Sequence, residues 1–256
     1  MLEAIGDRCR APGVPGDVLI DRWRAHFRQN GKSWAEFDWS EVDRLSPGER
    51  RIVARSIAAF QRGETGDGSN LVHWAAAKGG SPSHPFADLM GMFVQEEQRH
   101  ARVLRRAMQV NGIARAERQW TDAIFRALRH GLGMLPALAI LLAVEILACL
   151  YYDALARATG SPLLRRVASR ICQDEADHVL FQCDLLGSFT CGWARWLRRA
   201  GAIGLTVAFA AAASIVWFEH RQVLRRGGFR LRSFFLTAGV SLHQALSTVE
   251  RRASAA

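Results

Sequence analysis

The sequence predicts an all-α protein: a four-helix bundle with helical extensions at both ends. Three observations point there. Helix starts and stops recur along the chain while strand signals are nearly absent. Two short connectors and one long one join the four longest helical runs. Two acidic-Glu-x-x-His strings fall mid-way along two of those runs.

Residues 1–45, with Trp23, Trp34 and Trp39, read as an N-terminal helical cap. The bundle occupies 46–190. Ser46-Pro47-Gly48-Glu49 is a helix start, with serine at the N-cap, proline at the first turn and glutamate completing a capping box. That helix runs to about Lys78 and stops at Gly79-Gly80. A second runs from about Pro85 to Val110, ended by Asn111-Gly112. A polar stretch and a short helix over 120–130 lead to Gly131-Leu132-Gly133. The third helix covers about Met134 to Thr159, and Ser161-Pro162 starts a fourth that reaches about Ser188. Helices of roughly 25 to 31 residues would be about 38 to 46 Å long. About 23 residues separate the second from the third, enough to run the length of the bundle. The connectivity is therefore two antiparallel hairpins joined by a long crossover. Residues 191–256 read as two further helices.

Composition narrows the class. The 256 residues, 49% apolar and 23% charged, suffice for a large core and exclude a disordered chain, a collagen-like fibre and a disulfide-stapled mini-protein. Net charge is +10, and of 34 basic residues only Lys32 and Lys78 are lysine. An arginine excess suits phosphate or carboxylate partners. The five cysteines contain no C-x-x-C pair, so no structural zinc, rubredoxin-type iron site or disulfide framework follows from their spacing. The first eight residues lack the basic-then-apolar order of a signal peptide, and a reducing cytoplasm is the expected compartment.

The chemistry is carried by Glu96-Glu97-Gln98-Arg99-His100 and Asp174-Glu175-Ala176-Asp177-His178. Glu and His three residues apart share a helix face and can present an oxygen and a nitrogen to one point. A single such pair carries little weight in a chain with 8 histidines. The other two long helices decide the matter, because each has a glutamate near its middle: Glu64 and Glu145. Glu145 stands inside an otherwise uncharged run from Leu135 to Leu150, where a carboxylate costs several kcal/mol unless paired or metal-bound. Glu64 precedes Glu97 by 33 residues and Glu145 precedes Glu175 by 30, so antiparallel pairing brings both couples to matching depth. Four carboxylates and two imidazoles then converge on one level of the core.

Over about 47–190 the chain resembles the ferritin-like di-iron carboxylate proteins, with strings similar to those of acyl-carrier-protein desaturases and the ribonucleotide reductase small subunit. The resemblance implies six ligands, Glu64, Glu97, His100, Glu145, Glu175 and His178, holding two iron ions, with a manganese–iron pair as the alternative. It implies that Glu97 and Glu175 bridge the metals while Glu64 and Glu145 are terminal. It also implies that Asp174 orients His100 across the hairpins and that Glu96 does the same for His178. The carboxylates Glu64, Glu97, Glu145 and Glu175 would then carry catalysis. The expected activity is O2-dependent oxidation, hydroxylation or desaturation of an organic, apolar substrate, with electrons from a reductase or ferredoxin. An enzyme of that kind calls for an apolar pocket, walled by Leu138, Leu141, Leu142, Ala148 and Cys149. The alternatives are an iron-handling or peroxide-scavenging protein, and a tRNA-modifying hydroxylase. Gly63, Gly66 and Gly68 around Glu64 point to a bulge or a close backbone approach, the alternative being a helix broken there, which would remove Glu64 from the set; Tyr152 lies two turns beyond Glu145 as a core or redox-active tyrosine.

Residues 201–218 contain no charge and have the length of a membrane span. Arginines flank both ends, against the positive-inside tendency, so a helix buried against the bundle is the first expectation and a membrane-associated helix the second. An acidic carrier protein or the inner face of a membrane would suit the basic surface, and a homodimer is compatible. Thin aromatic interleaving around Phe229, Phe234 and Phe235 argues against RNA.

Overall fold

The computed structural model describes residues 14–35, 39, 44–66, 68–116 and 133–255. Among them are eight α-helices and no strand: α1 (Asp17–Ala35), α2 (Pro47–Gly63), α3 (Ser69–Gly79), α4 (Pro85–Val110), α5 (Met134–Ala158), α6 (Pro162–Thr190), α7 (Arg195–Arg226) and α8 (Leu231–Ala255). The all-α expectation holds. The helix expected over 120–130 and residues 1–13 of the cap lie outside the described residues.

The predicted starts operate as written. Ser46 and Glu49 form a reciprocal capping box at α2, with Pro47 in the first turn. His84 accepts from the Phe86 amide at α4 and Ser161 from the Leu164 amide at α6, each again followed by proline. The expected first helix, however, is not continuous. It breaks after Gly63, with Glu64 as the C-cap of α2, and restarts as α3 after Gly68. The reason lies in a contact with α4. Gly68 has φ +62° and packs so closely on Val94 of α4 that a Cβ there would lie 2.3 Å from a Val94 methyl. Only glycine can make that turn at that distance.

Helices α2 and α3 pack on α4, α5 packs along α6, and the two hairpins meet where α4 touches α6. Helix α4 buries Phe86, Leu89, Met90, Phe93, Leu104 and Ala107 in a stripe of helical period. In α6 the stripe runs through Leu164, Val167, Ile171, Phe181 and Leu185. In each the acidic string replaces the stripe for one turn. That turn lies between two apolar cores, one around Phe93, Leu142 and Phe181 and one around Ile57, Leu104 and Ile171.

The extensions are fastened to this frame. Buried Asp184 of α6 accepts from Trp23 Nε1 at 3.0 Å and from Arg22, both of α1, and pairs with Arg252 of α8 at 2.7 Å. Helix α8 lies on α6, and α7 crosses α5 and α2. Helix α7 departs from the first expectation for 201–218: its most apolar 18-residue window is only 22% buried, against 67% for α5. Helices α5 and α7 are both long and apolar enough to cross a membrane.

Candidate metal centre

The six sequence-derived ligands and the two outer carboxylates come together in overlapping groups. In Glu64, Glu97, His100 and Glu175, one ligand atom of each lies within 4.8 Å of all the others, and the same holds for Glu97, Glu145, Glu175 and His178. Glu97 and Glu175 are common to both. Glu96, His100 and Asp174 form a third set. His100 and Glu175 are fully buried, as is His178, while Glu97 keeps 18% of its side chain exposed. The break after Gly63 does not displace Glu64. It is 9% exposed, and its Oε1 accepts from Tyr152 Oη at 2.6 Å.

The imidazoles are oriented from outside. His100 Nε2 lies 3.0 Å from Asp174 Oδ2, leaving Nδ1 toward Glu175 Oε1 at 3.2 Å and Glu97 Oε1 at 3.9 Å. His178 repeats the plan: Nδ1 faces Glu97 Oε1 at 2.9 Å and Glu175 Oε2 at 3.2 Å, and Nε2 faces Glu96 Oε2 at 3.9 Å. Each outer carboxylate therefore stands behind the histidine of the other hairpin.

Helix α1 supplies what the sequence did not mark. Asn30 donates to both Glu96 and Asp174, and Trp34 Nε1 donates to Asp174 Oδ2 at 2.6 Å. Arg170 donates to Asn30 and to Ser33 Oγ. Gln182, one turn beyond His178 and fully buried, donates to Glu145 Oε1 at 3.1 Å. Gln182 had a readable signal, being an amide in an otherwise apolar stripe. Asn30 and Trp34 had none, because a polar face of an N-terminal helix looks the same whether it meets water or a buried carboxylate.

The electrostatics are those of crowded acids. Burial, then the charges of Glu97 and Glu175, push the Glu64 carboxyl well above its ordinary range. Burial, then Glu175 and Glu97, do the same to Glu145. For Glu175 burial works upward too, but the adjoining imidazoles outweigh it and hold the carboxyl below its usual range. Both histidines are held well above theirs by neighbouring carboxylates, although burial opposes this.

These residues fit a metal pair on one further observation. Glu97 Oε1, His100 Nδ1 and Glu175 Oε1 are buried and, for all their close contacts within the cluster, make no well-directed hydrogen bond among the described residues. Unpaired buried donors and acceptors are costly, and cations among them would satisfy them together. Mixed carboxylate and imidazole donors suit iron or manganese better than copper.

The apolar wall takes a closed form, with Leu138, Leu141, Leu142 and Ala148 all buried in the core. Two surface cavities of about 550 and 480 Å³ lie elsewhere, beside Arg24 and Asp88 and beside Arg50 and Glu219. Comparison of the chain with protein-family models, curated proteins and solved structures gives no match.

Proposed function

We propose that the chain is a ferritin-like di-iron carboxylate oxidoreductase that uses O2 to oxidise an organic, apolar substrate. One observation supports this most: two ligand groups that share Glu97 and Glu175, so that two carboxylates are positioned to bridge a pair of ions. A pair of iron ions held there would supply redox chemistry toward O2. The protein's own part is to hold the donors. Asp174 and Glu96 fix the imidazole rings, and Tyr152 and Gln182 steady the terminal glutamates. Buried phenyl rings of Phe27, Phe93 and Phe181 pack together beside His178 and keep bulk water from that side. Reduction of O2 takes four electrons, of which hydroxylation or desaturation draws two from the substrate, so a reductase or ferredoxin must supply the others.

Iron handling is the second reading, favoured by the partial exposure of Glu97 on α4 and by Glu64 standing at the end of α2. Oxygen uptake by iron-loaded protein, with a ferredoxin system and a panel of fatty acyl and other apolar substrates, separates the two. Substrate-dependent uptake with oxidised product supports the enzyme. Uptake that depends on added ferrous iron alone, in a large hollow oligomer that accumulates mineral, supports iron handling.

A further inference from the structure

Helix α7 carries a stripe that no part of the described chain covers. Trp196, Ile203, Val207 and Phe218 follow one another at helical spacing and are 68%, 67%, 68% and 64% exposed. Exposed Ala200, Ala210 and Ala211 fill the gaps. From Trp196 to Phe218 the stripe runs along about 33 Å of helix. Exposed Trp193 stands just before it. At one end are exposed Arg195 and Arg199, and at the other exposed Arg221 and Arg225; Glu219 is the sole acid in the helix. Contiguous exposed apolar surface of this kind marks an interaction site rather than ordinary surface.

We propose that α7 seats the protein on an anionic lipid bilayer, with the helix lying in the plane of the interface. Its opposite side is already occupied, since Phe209, Ala213, Trp217 and Val223 are buried against the rest of the fold. Lipid can therefore reach one face only, and that face lies between arginines at both ends, which favours an in-plane helix sunk about 5–10 Å into the headgroup boundary. Tryptophans beside arginines belong at that depth, where an amphipathic ring and a cation both meet headgroups. Charge selects the bilayer over a second copy of the chain. Pairing two α7 stripes, parallel or antiparallel, sets arginine clusters against arginine clusters, whereas acidic headgroups neutralise both ends at once.

The test is co-sedimentation of the full chain with phosphatidylcholine vesicles, with and without phosphatidylglycerol. The protein should pellet with the acidic vesicles and be released by salt. Ile203→Glu with Val207→Glu should lower partitioning at least about 10-fold at unchanged helicity, since both side chains are exposed. Should that variant lose helicity, Arg195→Glu with Arg199→Glu decides: undiminished partitioning would overturn the proposal. Wild-type protein left in the supernatant with both vesicle types would overturn it as well. So would a vesicle-indifferent dimer that Ile203→Glu and Val207→Glu convert to monomer. Vesicle binding should survive Glu97→Ala with Glu175→Ala, so the membrane and metal readings stand or fall separately.

Discussion

In the hairpin of α2, α3 and α4, the terminal glutamate stands at the end of a broken helix and Glu97 is partly open to solvent. In the hairpin of α5 and α6, Glu145 and Glu175 stand mid-helix at 3% and 0% exposure. Both halves carry the same acidic-Glu-x-x-His string and the same partner glutamate, so the string does not decide access. The surrounding helix does. Three glycines and one left-handed turn leave Glu64 at a helix end, while an uninterrupted apolar helix seals Glu145. The α2–α4 half is thus the more open side of the carboxylate cluster, and the α5–α6 half the more closed one.

Removing metal should affect the sealed half most. Ligands bound at a thousand times their dissociation constant stabilise by about 4 kcal/mol. Chelation should accordingly lower the melting temperature by about 10 °C. A melting curve indifferent to chelator would mean that the buried acids are satisfied without metal.

The terminal glutamates come next. Glu145→Gln should reduce the metal content from about two ions to about one, because no water reaches that position to replace the lost oxygen. In metal-free protein the same change should raise the melting temperature, since a crowded carboxyl held well above its ordinary range is replaced by an amide. Glu64→Gln should do less in both assays, since Glu64 ends its helix at 9% exposure while Glu145 stands mid-helix at 3%. Metal counts and calorimetry on the pair of variants would show whether the halves differ in this order.

A smaller contrast lies behind the histidines. Asp174→Asn should weaken metal binding by roughly 10- to 100-fold, and Glu96→Gln by less, because its contact is 3.9 Å against 3.0 Å. Titration with ferrous or manganous ion checks both; equal losses would erase the asymmetry. The smallest effect belongs to Tyr152→Phe, which removes the hydrogen bond to Glu64 at a cost of about 1 kcal/mol. The readout is metal affinity at unchanged helicity.

Much of this was legible in the sequence for physical reasons. Capping serines with following prolines start α2 and α6 from local chemistry alone, and at α4 His84 before Pro85 takes the same part. A glutamate in an uncharged helix announces a partner, and the equal hairpin separations locate it. The break after Gly63 was harder. Glycines state that a helix is weak, but only the approach of Val94, far along the chain, decides that it ends. Asn30 and Trp34 were invisible as site residues because their partners are set by packing of α1 onto α4 and α6 rather than by their own neighbours. Helix α7 shows the limit of hydropathy: it and α5 pass the same test of length and apolarity, yet neighbours cover one and not the other.

Glu97 and Glu175, if they hold two ions jointly as proposed, are the residues whose loss should empty the site. Metal analysis of purified protein, with Glu97→Ala and Glu175→Ala as the comparison, tests this most directly. The wild type should carry about two iron or manganese ions per chain and the double variant none. Stoichiometric binding that survives loss of both carboxylates would contradict this.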